Sequence, residues 1–109
     1  MRKDFIDAYK KFVEVWGADS QCLMAVEEMS ELTKELCKRK RLTEEYNPNA
    51  KPEEIEDNLS RIREEIADVL NMTEQLEFMF GEEEIEKIRE EKIKRTLILK
   101  QERRKLLKN

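Results

Sequence analysis

Four amphipathic runs divide the chain. In the first, Phe5, Tyr9, Phe12 and Trp16 recur at steps of four, three and four, which predicts one apolar helix face from about Lys3 to Trp16. Gly17 ends that run, and Asp19 or Ser20 supplies an N-cap for a second helix over 20–42. Its apolar stripe reads Cys22, Val26, Met29, Leu32 or Thr33, and Leu36, and the basic run Lys38 to Arg41 suits its last turns. Asn47-Pro48 and Lys51-Pro52 mark the one clear break, after which Pro52, Glu53 and Glu54 open a third helix over 53–80. Here Ile55, Leu59, Ile62, Ile66, Val69, Thr73, Leu76 and Phe80 alternate steps of four and three. Ala67, Leu70, Met72 and Met79 widen that stripe, which predicts a helix packed between several neighbours. Gly81 closes it, and a fourth helix from 82 to about 105 carries Ile85, Ile88, Ile93, Leu97 and, less regularly, Leu106.

The pattern predicts an all-α fold, a four-helix bundle in a single domain across residues 1–109. Charged residues make up 44% of the 109 and apolar ones 39%, with two Gly and two Pro, which favours long helices over strands and turns. So modest an apolar share on long helices predicts a core completed by a partner subunit, in a homodimer or homotetramer. No run approaches the ~18 apolar residues of a membrane span, and MRKDFIDAYKKF contains acids, unlike a secretory signal. A cytoplasmic location and no membrane partner are therefore expected.

Cys22 and Cys37 lie on the second helix, where a rise of about 1.5 Å per residue separates them by roughly 22 Å, so they should be reduced, small and buried. There is no His, which excludes imidazole bases and Ser-His triads and leaves carboxylates, lysines and metal for any hydrolytic chemistry. The net charge of −4 is uneven: residues 87–109 hold ten Lys or Arg against three Glu, leaving the first 86 residues at −11. An acidic body beside a basic helix suits a phosphorylated metabolite where the two meet.

Two acidic pairs carry the candidate chemistry, Glu28/Glu31 in EEMSEL and Glu65/Asp68 in EEIADVL. A spacing of three puts both carboxylates of a pair on one helix face. Asp68 interrupts the apolar stretch Ile66, Ala67, Val69, Leu70, where a carboxylate costs stability unless a cation meets it. Antiparallel second and third helices would bring the four together, and Mg²⁺ is held by such oxygens together with substrate phosphates and water. Mn²⁺ is a substitute. Glu27 and Glu64, one position off, point about 100° away and suit supporting roles.

The motifs resemble those of the MazG-like all-α nucleoside triphosphate pyrophosphohydrolases, in the short single-domain form common in phages and their hosts. ExxE followed by ExxD is read here in AVEEMSELTKEL and REEIADVLNMTEQLEFMF; Trp16-Gly17 and Gln21 precede the first motif, and Lys92 and Arg95 in EEKIKRTL follow the second. The likeness spans roughly residues 16 to 97. It implies that Glu28, Glu31, Glu65 and Asp68 are the magnesium ligands and the catalytic set. It also implies that a nucleoside triphosphate is split between its α and β phosphates, giving monophosphate and pyrophosphate. Lys92 and Arg95 share a helix face suited to the β and γ phosphates, Asn71 lies one turn beyond Asp68 with an amide for a ligand or water, and Trp16 with Phe12 could stack on a base. The alternative is a non-catalytic helical interaction or regulatory protein. Nucleic-acid binding by the basic helix is disfavoured by the acidic body and by the lack of a recognition-helix or zinc signature.

Overall fold

Long helical runs with a single proline-marked break leave the backbone little choice, and the computed structural model, which describes residues 3–43, 45 and 47–108, is all-helical with no strand among them. A 3₁₀ turn, Lys3–Phe5, leads into α1 (Ile6–Trp16), α2 (Ala18–Arg41), α3 (Pro52–Phe80) and α4 (Glu82–Lys108). Both helix breaks without a loop fall on glycine. Gly17 has φ +84° and Gly81 φ +109°, a region that side-chain-bearing residues avoid. Gly17 itself is the N-cap of α2, so α2 starts two residues before the expected boundary and neither Asp19 nor Ser20 caps it. Pro52 occupies the first turn of α3 with Glu53 and Glu54 beside the positive end of its dipole, as the sequence indicated. Four basic residues close α2 at the opposite pole. The 42–51 linker lies partly outside the described residues.

α2 and α3 run antiparallel and form the main packing interface, with α1 laid against both; among the described residues α4 touches only α3. Among the described residues the buried hydrophobic ones are Tyr9 and Ala25, while Gln21, Glu35, Asn58 and Gln75 are buried polar ones. The face of α2 that meets α3 therefore holds Gln21, Ala25, Glu28, Leu32 and Glu35; Leu32 belongs to the apolar stripe read in the sequence, and the rest of that stripe lies one position round. Val26, Met29 and Leu36 of that stripe stand exposed, as do Ile66 and Phe80 of the α3 stripe. Cys22 is half-buried and Cys37 exposed, both free thiols, so the expectation of two buried cysteines is corrected for Cys37.

The chain is extended for its size. Its Cα radius of gyration is 18.9 Å, against about 13 Å for a compact domain of this length. Past Gly81, α3 and α4 enclose an open wedge of about 490 Å³ walled by Leu70, Thr73, Leu76 and Ile85 together with the charged Glu74, Glu77 and Arg89. No described helix is long and apolar enough to cross a membrane.

Candidate metal centre

Antiparallel pairing of α2 and α3 sets Glu28 opposite Glu65 and Asp68. One carboxylate oxygen from each of the three lies within 4.8 Å of the other two. The i, i+3 spacing of Glu65 and Asp68 gives them a common face on α3, while the α2–α3 contact supplies the third acid from the other helix. Glu28 and Glu65 are half-buried and Asp68 is exposed. This corrects the expectation that Asp68 bears the burial cost. That cost falls on Glu65, whose Oε2 is buried with no hydrogen-bond partner.

Glu31 is exposed and stands outside the 4.8 Å group, so three of the four expected acids converge. Its charge still reaches the centre. Burial first, then the negative charges of Asp68 and Glu65, a hydrogen bond to Asp68 and the charge of Glu31 hold the Glu28 carboxyl above its ordinary value of 4.5. Burial again leads for Glu65, followed by Asp68, Glu31, Glu64 and Glu35, and its carboxyl is also raised. Glu27 is exposed and outside this group, and Glu64 contributes only its charge.

Three carboxylates around one point, one oxygen of them buried and unpaired, form an oxygen donor set of the kind a hard divalent cation takes. Glu28, Glu65 and Asp68 would hold Mg²⁺ or Mn²⁺ there, with Glu31 within electrostatic reach. The raised carboxyls give a signed expectation for the metal-free protein. A folded-state pKa above the unfolded one contributes stability that is present below pH 4.5 and lost as pH rises through the raised value. In chelator at neutral pH, Glu28→Gln should therefore be more stable than wild type in urea denaturation, and the gap should close on acidification. A gap of the same size at every pH would contradict this electrostatic picture.

The remaining candidate residues divide. Asn71 lines a cavity of about 250 Å³ with Phe5, Ala8, Tyr9 and Phe12, so the structure brings it together with the aromatic face of α1. Trp16 lies outside that cavity, 57% exposed, its ring 5.4 Å from that of Phe12. Lys92 and Arg95 are exposed on α4, which has no contact with α2 among the described residues, so a single chain does not close them over the acids. Neither has an ion pair among the described residues, whereas Arg89 and Lys94 are engaged by Glu86 and Glu90.

Sequence reading missed Glu35, Asn58 and Gln75, and noted Gln21 only as part of the resemblance. The Asn58 amide donates to the backbone oxygen of Glu35 at 3.1 Å and to its carboxylate at 3.0 Å, and Gln75 Nε2 donates to Gln21 Oε1 at 2.7 Å. The available signal was polar residues at Gln21, Glu28 and Glu35, seven apart on α2, where a packed helix seam ordinarily carries apolar side chains. Compared with protein-family models, with curated proteins and with solved structures, the chain matches none.

Proposed function

We propose that this chain is a magnesium-dependent nucleoside triphosphate pyrophosphohydrolase of the MazG-like kind, releasing monophosphate and pyrophosphate by cleavage between the α and β phosphates. The convergence of Glu28, Glu65 and Asp68 within 4.8 Å carries the reading, and the ExxE and ExxD motifs supply its reaction class. Glu28, Glu65 and Asp68, with Glu31 nearby, would hold Mg²⁺, which when bound would neutralise phosphate charge and acidify a water. The carboxylates fix where that charge sits, and without a cation they repel a triphosphate, which makes turnover strictly dependent on divalent metal. Asn71 and the Phe5–Phe12 cavity offer the base an apolar wall with one amide. Lys92 and Arg95 are assigned to the β and γ phosphates in an assembly that brings α4 to an acidic centre, since a single chain does not. Lys92→Ala or Arg95→Ala should lower kcat/KM about tenfold, roughly 1.4 kcal/mol, while the products stay the same.

The active form is proposed to be a dimer or tetramer built through helix faces. Supporting this are the exposed Val26, Met29, Leu36 and Ile66 stripes beside the α2–α3 seam, the open wedge at α4 and the large radius of gyration. Light scattering at micromolar concentration should give two or four times the chain mass; the single-chain mass would contradict it.

A panel of ribo- and deoxyribonucleoside triphosphates, incubated with Mg²⁺ and read for both products, tests the activity. Equal yields of monophosphate and pyrophosphate from at least one substrate are expected. A chain that binds Mg²⁺ but turns over none of them would be the non-catalytic helical protein instead.

A further inference from the structure

The acidic centre is bracketed on both helices by buried polar pairs at the same interval. On α2, Gln21 lies seven residues before Glu28 and Glu35 seven after it; on α3, Asn58 lies seven before Glu65 and Gln75 seven after Asp68. Because the helices are antiparallel, these four residues meet in two pairs, one on each side of the acids, about 10 Å away along the helix axis. Both pairs are hydrogen-bonded, Gln75 to Gln21 at 2.7 Å and Asn58 to Glu35 at 3.0 Å. All four are buried, with Asn58 at 0%, Gln21 and Gln75 at 2% and Glu35 at 8% exposure.

We propose that Gln21–Gln75 and Glu35–Asn58 are positioning residues, two polar clamps that fix the register of α2 against α3 and so hold Glu28 opposite Glu65 and Asp68. The inference rests on the reading of those three acids as a metal centre. Apolar contact is non-directional and tolerates sliding. A slip of one helical turn is about 5.4 Å, more than the 4.8 Å within which the three acids now lie. Such a slip would leave apolar side chains still in contact while scattering the carboxylates, and carboxylate repulsion in the metal-free chain favours it. The same slip breaks both clamps and leaves buried amides unpaired, which is costly in a water-poor seam. A lone polar residue at a packed coiled-coil position fixes register in this way at some expense in stability. That expense is visible here, since Gln21 Nε2 and Asn58 Oδ1 have no hydrogen-bond partner. Side chains chosen for stability alone would be apolar.

The test uses the full chain with Mn²⁺ alone as probe, by calorimetry, beside thermal melting in chelator. Gln21→Leu with Gln75→Leu, and separately Glu35→Met with Asn58→Leu, replace each clamp by an apolar pair of similar volume. Both double variants are expected to stay helical, to melt no lower than wild type, and to bind Mn²⁺ about 10- to 100-fold more weakly. Glu35→Gln keeps an acceptor for Asn58 and is expected to stay within about threefold of wild type. Folded double variants that bind Mn²⁺ as wild type does would overturn the inference and leave the metal centre standing. So would a loss in Glu35→Gln as large as in its double variant, since charge rather than register would then be responsible. The clamps sit at opposite ends of the seam, so one folded double variant is enough, and unfolding of both would make them elements of stability and overturn the proposal. A wild-type chain that binds no Mn²⁺ overturns the metal centre and this inference with it.

Discussion

Asp68→Asn is expected to cost on the order of 100-fold or more in kcat/KM while leaving the fold in place. Residues that merely orient metal ligands are worth about 10- to 100-fold in affinity or activity, so a ligand itself should cost at least that much. The fold should survive because Asp68 is exposed and Asn has nearly the same shape. Its negative charge also raises the carboxyls of both Glu28 and Glu65, so its removal relieves repulsion in the metal-free chain. Steady-state kinetics with Mg²⁺ and a melt in chelator separate the two effects. Glu28→Gln and Glu65→Gln should follow Asp68→Asn, whereas Glu31→Gln should cost less, because Glu31 lies outside the 4.8 Å group. Near wild-type rates in all four variants would refute the assignment.

The largest effect on stability is expected from Asn58→Ala. Asn58 is fully buried and its amide donates twice to Glu35, once to the backbone and once to the carboxylate. Truncation removes both bonds, leaves a cavity, and strands a buried carboxylate without its donor. Together these should lower the unfolding free energy by about 3 kcal/mol, a large share of the 5–15 kcal/mol typical of a domain. Urea denaturation at neutral pH measures it, and a loss below about 0.5 kcal/mol would mean that this pair contributes little to the α2–α3 seam.

The helices and the glycine breaks were legible because each rests on local chemistry. Periodic apolar positions, Pro52 followed by two acids, and glycine at Gly17 and Gly81 mark boundaries whatever the tertiary partner. The convergence of Glu28, Glu65 and Asp68 was legible from their spacing once α2 and α3 were paired as antiparallel. The packing face was not. On α2 the apolar stripe of Val26, Met29 and Leu36 lies one residue, about 100°, round from the seam of Gln21, Ala25, Glu28 and Glu35, and hydrophobic periodicity points to the stripe. On α3 the offset is partial: Ile66 and Phe80 are exposed, but Ile55, Leu59, Ile62, Val69, Thr73 and Leu76 of the predicted stripe are half-buried beside Asn58, Glu65 and Gln75. In a chain with 44% charged residues, buried Gln, Asn and Glu look like solvated surface until the opposing helix is in place. The disposition of α4 was likewise hidden, since its apolar residues Ile93 and Leu97 stay exposed among the described residues.

The central claim is most directly tested by running the reaction in ¹⁸O-enriched water with Mg²⁺ and a hydrolysed nucleoside triphosphate, and locating the label by mass spectrometry. Attack on the α phosphorus puts the label in the nucleoside monophosphate and leaves pyrophosphate unlabelled, and the signal should vanish with chelator and nearly vanish in Asp68→Asn. Label in pyrophosphate, or orthophosphate as the first product, would contradict α–β cleavage at the Glu28, Glu65 and Asp68 centre.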